Sequence, residues 1–203
     1  MLTFAARLLN ACAVLIALAS CSGASGNSAY GSGDPNLAVA NPGGGPIDPF
    51  LTNGDAVVHA LDAIAARSGR PLRVTSMTAD AMNGLTVEVQ EPNNHINVDA
   101  YKVGVDGTLS GPVPVKLMSL NGGPITVADV DSRVFDPKSV GFERLTATAR
   151  DAIAKSKFSD ARVSEWDFDG VTPDARRYIF LESARARPAA IVDPHLRILE
   201  MRF

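Results

Sequence analysis

Glu165-Trp166-Asp167-Phe168-Asp169-Gly170 sets carboxylates at alternate positions with glycine sixth, the spacing of oxygen ligands in the first half of a calcium loop. The twelfth position is Arg176, a cation where a bidentate glutamate belongs, and the first ligand is Glu rather than Asp. Trp166 and Phe168 alternate with the acids as a strand face does, so the segment reads as a strand ending in an acidic turn, without metal. His59, His95 and His195 have no second His or Cys at ligand spacing and read as surface or turn residues. No Gly-x-Ser-x-Gly elbow is present, and Gly43-Gly44-Gly45 runs into Pro46 rather than Lys-Ser and a helix. Asp129 and Asp131 suit a solvated loop better than a shared proton. The expectation is a chain that is not an enzyme and carries no cofactor.

Trp166, Phe168, Tyr178 and Phe180 form the aromatic cluster. The small Ala161 and Val163 suit close helix contact, which turns Trp166 and Phe168 to the opposite sheet face. There, with Tyr178, they form a candidate binding patch. The alternative puts them in an interface between two units.

Leu18-Ala19-Ser20-Cys21 follows Arg7 and an apolar run from Leu8 to Leu18, too short to span a bilayer. A charged start, an apolar stretch and small residues are the order of a secretory signal. The four residues also closely resemble a bacterial lipobox, which implies that Cys21 is lipidated and becomes the first mature residue. The alternative is an ordinary signal cut near Ala19, leaving Cys21 a free thiol. Cys12 lies inside the apolar run, so a lipidated Cys21 leaves no pair for a disulfide and stability falls to the core. Ser22 is not the Asp that resembles an inner-membrane retention signal, so in a cell with two membranes the periplasmic side of the outer one is favoured.

Without residues 1–20 the chain has 18 basic and 22 acidic residues, a net charge of −4. Its longest Lys/Arg run is the pair Arg176-Arg177, which is not the footprint of a nucleic-acid binder. After the signal, no segment reaches the ~20 apolar residues of a membrane helix, so lipid alone makes the membrane contact.

Residues 21–51 are rich in Gly, Ser, Asn and Pro, lack hydrophobic periodicity, and read as a flexible tether. Beyond it, Asp62-Ala63-Ile64-Ala65 recurs as Asp151-Ala152-Ile153-Ala154. At the same offset Arg73-Val74-Thr75 meets Arg162-Val163-Ser164, and Met77 meets Trp166. The periodicity agrees in both halves. Val57, Leu61 and Ile64 form a helical stripe over 56–67, opened by a capping signal at Thr52 to Asp55 and closed by Gly69 and Pro71. Strands are expected over Leu72–Thr78, Leu85–Gln90 and Ile96–Val105, with a bulge near Ala100, then at Val113, Val115 and Leu117. A second helix over 141–156 precedes strands near Ala161–Phe168, Arg177–Ser183, Ala189–Asp193 and Leu196–Phe203.

The fold class is therefore α+β: two repeated units, each one helix packed on a four-stranded antiparallel sheet. The first covers residues 52–119, the second 139–203, and residues 120–138 link them. Val98-Asp99-Ala100-Tyr101-Lys102-Val103-Gly104-Val105-Asp106-Gly107-Thr108-Leu109, with one helix and four strands, resembles the PepSY family, and the tandem resembles the β-lactamase-inhibitor-protein-like group. Asp106-Gly107 and Asp193-Pro194 sit at matching turns, with Pro194 departing from the usual Gly. The resemblance implies an exported, non-catalytic module that binds or inhibits an envelope protein, and it carries over no functional residue. The competing expectation is a small-ligand or lipid binder, with a pocket enclosed between helix and sheet.

Overall fold

The computed structural model describes residues 48–118, 123–170 and 177–203. Cys21, the signal, most of the tether and the start of the 120–138 linker lie outside the described residues.

Asn53 opens α1 (Gly54–Ser68), its Oδ1 accepting from the N–H groups of Asp55 and Ala56 at 3.0 and 3.3 Å. Without that cap these donors would have no helical partner. Gly69 closes the helix at φ 102°, its N–H donating to the Ala65 carbonyl at 3.0 Å. Val57, Ala60, Leu61, Ile64 and Ala65 are buried along one stripe, as their spacing demands. The second long helix, α3 (Leu145–Ser156; α2 is the short Val127–Asp131), follows a 3₁₀ turn at Phe142–Arg144 and buries Leu145, Ala149 and Ala152.

The strands β1 (Val74–Asp80), β2 (Gly84–Gln90), β3 (Val98–Val103) and β4 (Leu109–Pro114) follow α1. After α3 come β5 (Arg162–Asp169), β6 (Arg177–Glu182), β7 (Ala189–Val192) and β8 (Ile198–Arg202). All eight join one antiparallel sheet, in the order β4-β3-β2-β1-β5-β6-β7-β8. The expected pair of separate four-stranded sheets is corrected: β1 and β5 hydrogen-bond directly, with Met77 opposite Phe168 and Ala79 opposite Trp166. An edge strand presents unpaired N–H and C=O groups, and pairing β1 with β5 satisfies two such edges at once.

Both long helices cover the same face. Met77, Ala79, Leu85, Val87, Val103, Trp166, Phe168, Ile179, Leu181 and Ala190 form the sheet side of the core. Three differences from the sequence reading have local causes. Phe50 and Leu51, assigned to the tether, are 0% and 1% exposed, in a 3₁₀ turn (Pro49–Leu51) capped by Asp48. Two large apolar side chains in an otherwise featureless segment are enough to draw it into the core. The fourth strand starts at Leu109, with Pro112 and Pro114 inside it, because β4 is an edge and needs no donor on its outer side. The 120–138 linker contains α2, whose capping box joins Thr126 and Asp129, and its Phe135 bridges to Val74. The register shift between Ala100 and Lys102 stands where a bulge was expected.

Candidate protein-contact surface

Trp166 and Phe168 do not share the outer face with Tyr178. Both are 0% exposed beneath the helix layer, stacked at 4.6 Å between ring centroids, with Phe142 6.0 Å from each. The predicted alternation is overturned by a bulge: the β5–β6 register shifts between Val163 and Glu165. The extra residue puts Val163 and Trp166 on one face although they are three apart, so both go to the core. The indole N–H then meets a backbone carbonyl, that of Phe50, at 2.8 Å.

The same bulge sends the alternate residues of β5 to the face bare of described helices. Cross-strand pairing sets Lys102, Thr86, Thr78, Asp167, Tyr178, Ile191 and Glu200 in one row across the sheet. Beside it run Asp80, Glu165, Phe180 and Ala189, and on the other side Asp169, Ser76, Glu88 and Ala100. Tyr178 is half-buried and stacks on Phe180 with centroids 5.5 Å apart. Of the three aromatic binding candidates, only Tyr178 lies on this surface.

The middle of the face is acidic. Burial pushes the Glu88 carboxyl above its ordinary range, and the nearby Asp169 and Asp167 charges push it further, with Arg133 opposing. Asp167 is raised first by burial and then by Asp169, while a Thr78 hydroxyl 3.4 Å away favours its charged form. Neighbouring strands are about 4.8 Å apart, so β2 and β5 stand about 10 Å apart with β1 between them, and their half-buried carboxylates repel across it. A cation placed over them would relieve that repulsion. Asp80 is differently employed, accepting from the N–H groups of Met82 and Asn83 in the β1–β2 turn at 2.9 and 2.8 Å. Asp167 and Glu165 were visible in sequence as alternating acids; Glu88, on another strand, joins them only through the β1–β5 pairing.

The other sequence candidates serve the scaffold. Asp131 Oδ1 accepts from Gln90 Nε2 at 2.8 Å and Arg73 Nη2 at 2.9 Å, with His95 Nδ1 at 3.6 Å. The Gln90 bond is the main reason its carboxyl sits below the usual range. Gln90 is 1% exposed and fully occupied, its Oε1 taking Arg73 Nε at 2.6 Å. Asp129 instead closes the α2 capping box, so the two aspartates do not act as a pair. His59 is exposed on α1, and His195 donates its backbone N–H to Asp193 Oδ1 at 2.8 Å. Asp106 and Asp193 lie in the turns before β4 and β8. Gly107 takes φ 80° in the first turn, and in the second Leu196 takes φ 58° where Pro194 cannot. Among the described residues no three His, Cys, Asp or Glu side chains are grouped to hold a metal ion.

No protein-family profile and no curated protein matches the chain. A solved structure from Clostridium difficile 630, named as a candidate lipoprotein, is similar with a TM-score of 0.51 and 15% sequence identity. The match covers 75% of this chain and 93% of that one, and at this identity it establishes a shared fold.

Proposed function

We propose that this chain is a lipid-anchored protein of the bacterial envelope that binds another protein through its open sheet face, without catalysis. The observation that carries the reading is the juxtaposition of the stacked Tyr178–Phe180 pair with Asp167, Glu165, Asp169 and Glu88. Half-buried aromatics beside crowded carboxylates match a partner surface that brings Lys or Arg and flat apolar area together. The Cys21 motif supports the anchor, and the fold shared with a candidate lipoprotein agrees with it. Ser22 favours the outer membrane over the inner.

A constant offset between the two halves supports a tandem, inhibitor-like architecture. Asp62 and Asp151 lie 89 residues apart, and so do Thr78 and Asp167, which face each other across the β1–β5 seam. A two-fold axis through that pair would exchange the halves, with Met77 taking the place of Trp166. Both are buried at 0% on the same face.

The test uses the chain from Ser22 onward as bait in envelope extracts, since the described core residues lie beyond Asp48. A stoichiometric partner, released by salt and lost with Asp167→Lys, is the expected result. Recovery of nothing reproducible under mild crosslinking counts against the whole reading.

A further inference from the structure

Between α1 and the sheet, Val57, Ile64, Met77 and Val87 pack into one buried cluster. A cavity of about 750 Å³ lies elsewhere, on the outer flank of α1. Val58, Leu61, Asp62 and Ala65 form its first wall, a stripe of two helical turns, about 10 Å long. The segment from Asp136 to Glu143 forms the opposite wall, with Pro137, Val140 and Phe142 turned inward, and Arg70, Pro71 and Leu72 close one end. Val58 is 44% exposed and Leu72 half-buried, so apolar surface lines the opening as well as the floor.

The charges of this trough are not equivalent. Asp62 and Arg70 satisfy each other at 2.9 Å. Asp136 Oδ1 is taken by the Lys138 backbone N–H at 2.9 Å, where it caps the 3₁₀ turn Pro137–Ser139. That bond does not neutralise Asp136, so Asp136, the Lys138 ammonium and the Glu143 carboxylate are all exposed and without an ion-pair partner among the described residues. One unpaired cation, Lys138, and two unpaired anions, Asp136 and Glu143, therefore border a trough whose remaining lining, apart from the Asp62–Arg70 pair, is apolar. A head group of single charge would answer one sign and face its own sign in the other. A zwitterion answers both.

We propose that this trough binds a single-chain zwitterionic amphiphile, with its hydrocarbon along Val58, Leu61, Leu72 and Val140 and its head between Lys138 and Glu143. The site is separate from the open sheet face, on the other side of the sheet. It does not depend on the protein partner argued above.

The test is calorimetric titration of the chain lacking residues 1–21 with a twelve-carbon lysophosphatidylcholine, kept below its micelle concentration. A lysophosphatidylglycerol of equal chain length is the comparison. One-to-one binding is expected, at least about tenfold tighter for the zwitterion. Val58→Trp fills the trough from an exposed helix position and should weaken both lipids by about tenfold or more without lowering the melting temperature. Lys138→Gln combined with Glu143→Gln should abolish the preference between heads while leaving chain binding. The proposal is overturned by no saturable binding, by equal affinity for the two heads in the parent, or by a Val58→Trp protein that binds as the parent does.

Discussion

The indole N–H of Trp166 donates to the carbonyl oxygen of Phe50 across 2.8 Å and 116 residues of chain. It ties the first described turn to the strand at the centre of the sheet. Phe50, Leu51 and Trp166 are 0%, 1% and 0% exposed, so the bond sits in a water-free contact.

Trp166 is the chain's single tryptophan, so its emission reports on this contact alone. Acrylamide should quench it poorly in the folded protein. Trp166→Phe removes the indole donor from this buried contact and should cost about 1–3 kcal/mol in denaturant unfolding. Trp166→Ala adds a cavity and should cost about 3–5 kcal/mol. An exposed, readily quenched indole is inconsistent with this core.

Asp48 is 2% exposed, and its Oδ2 has no hydrogen-bond partner among the described residues. Burial raises its pKa from 3.8 to about 6, with the Phe50 N–H opposing and Asp80 adding to the rise. A carboxyl that holds its proton more tightly when folded favours the fold at low pH, and this contribution declines as pH rises from the unfolded value through about 6. Asp48→Asn keeps an acceptor for Phe50 and removes the charge. It should stabilise by about 1–3 kcal/mol at about pH 7.5 and by nearly nothing near pH 4. Parallel urea titrations at the two pH values measure this, and equal effects at both would speak against a buried charge.

Gly54 is the first residue of α1, where alanine ordinarily strengthens a helix. Here a Cβ would run into the backbone carbonyl oxygen of Phe142. Backbone cannot rotate away as a side chain can, so Gly54→Ala should destabilise by about 1–3 kcal/mol. A rise in melting temperature instead would show that the contact between α1 and the Phe142 turn is loose.

Tyr178→Ala removes one ring of the stacked outer pair and leaves the core untouched. It should change stability by less than about 1 kcal/mol yet weaken partner capture strongly, as loss of an aromatic anchor does. Met77→Ala, on the core face of β1, should do the reverse, costing about 2–5 kcal/mol of stability with capture retained in the folded fraction. Equal behaviour of the two variants would remove the open face from consideration.

Cys21→Ser tests the anchor. The parent should partition into detergent, and the variant should stay uncleaved or remain in the aqueous phase. Identical partitioning of both would exclude lipid on Cys21.

Period and punctuation alone determined most of the elements: the stripe from Val57 to Ile64, its stop at Gly69, and the alternation from Leu85 to Gln90 are local patterns that only a helix and a half-buried strand satisfy. The Cys21 motif is likewise a local string. What tertiary structure decided is everything that depends on which strand lies beside which. The β1–β5 seam brings Glu88 within reach of Asp167 and Asp169, and nothing in either segment encodes the other's position. The bulge at Val163–Glu165 is the second such decision. One extra residue reverses the faces of Trp166 and Phe168 and brings the indole beside Phe50 and Phe142, in a core that exists only once the chain has folded.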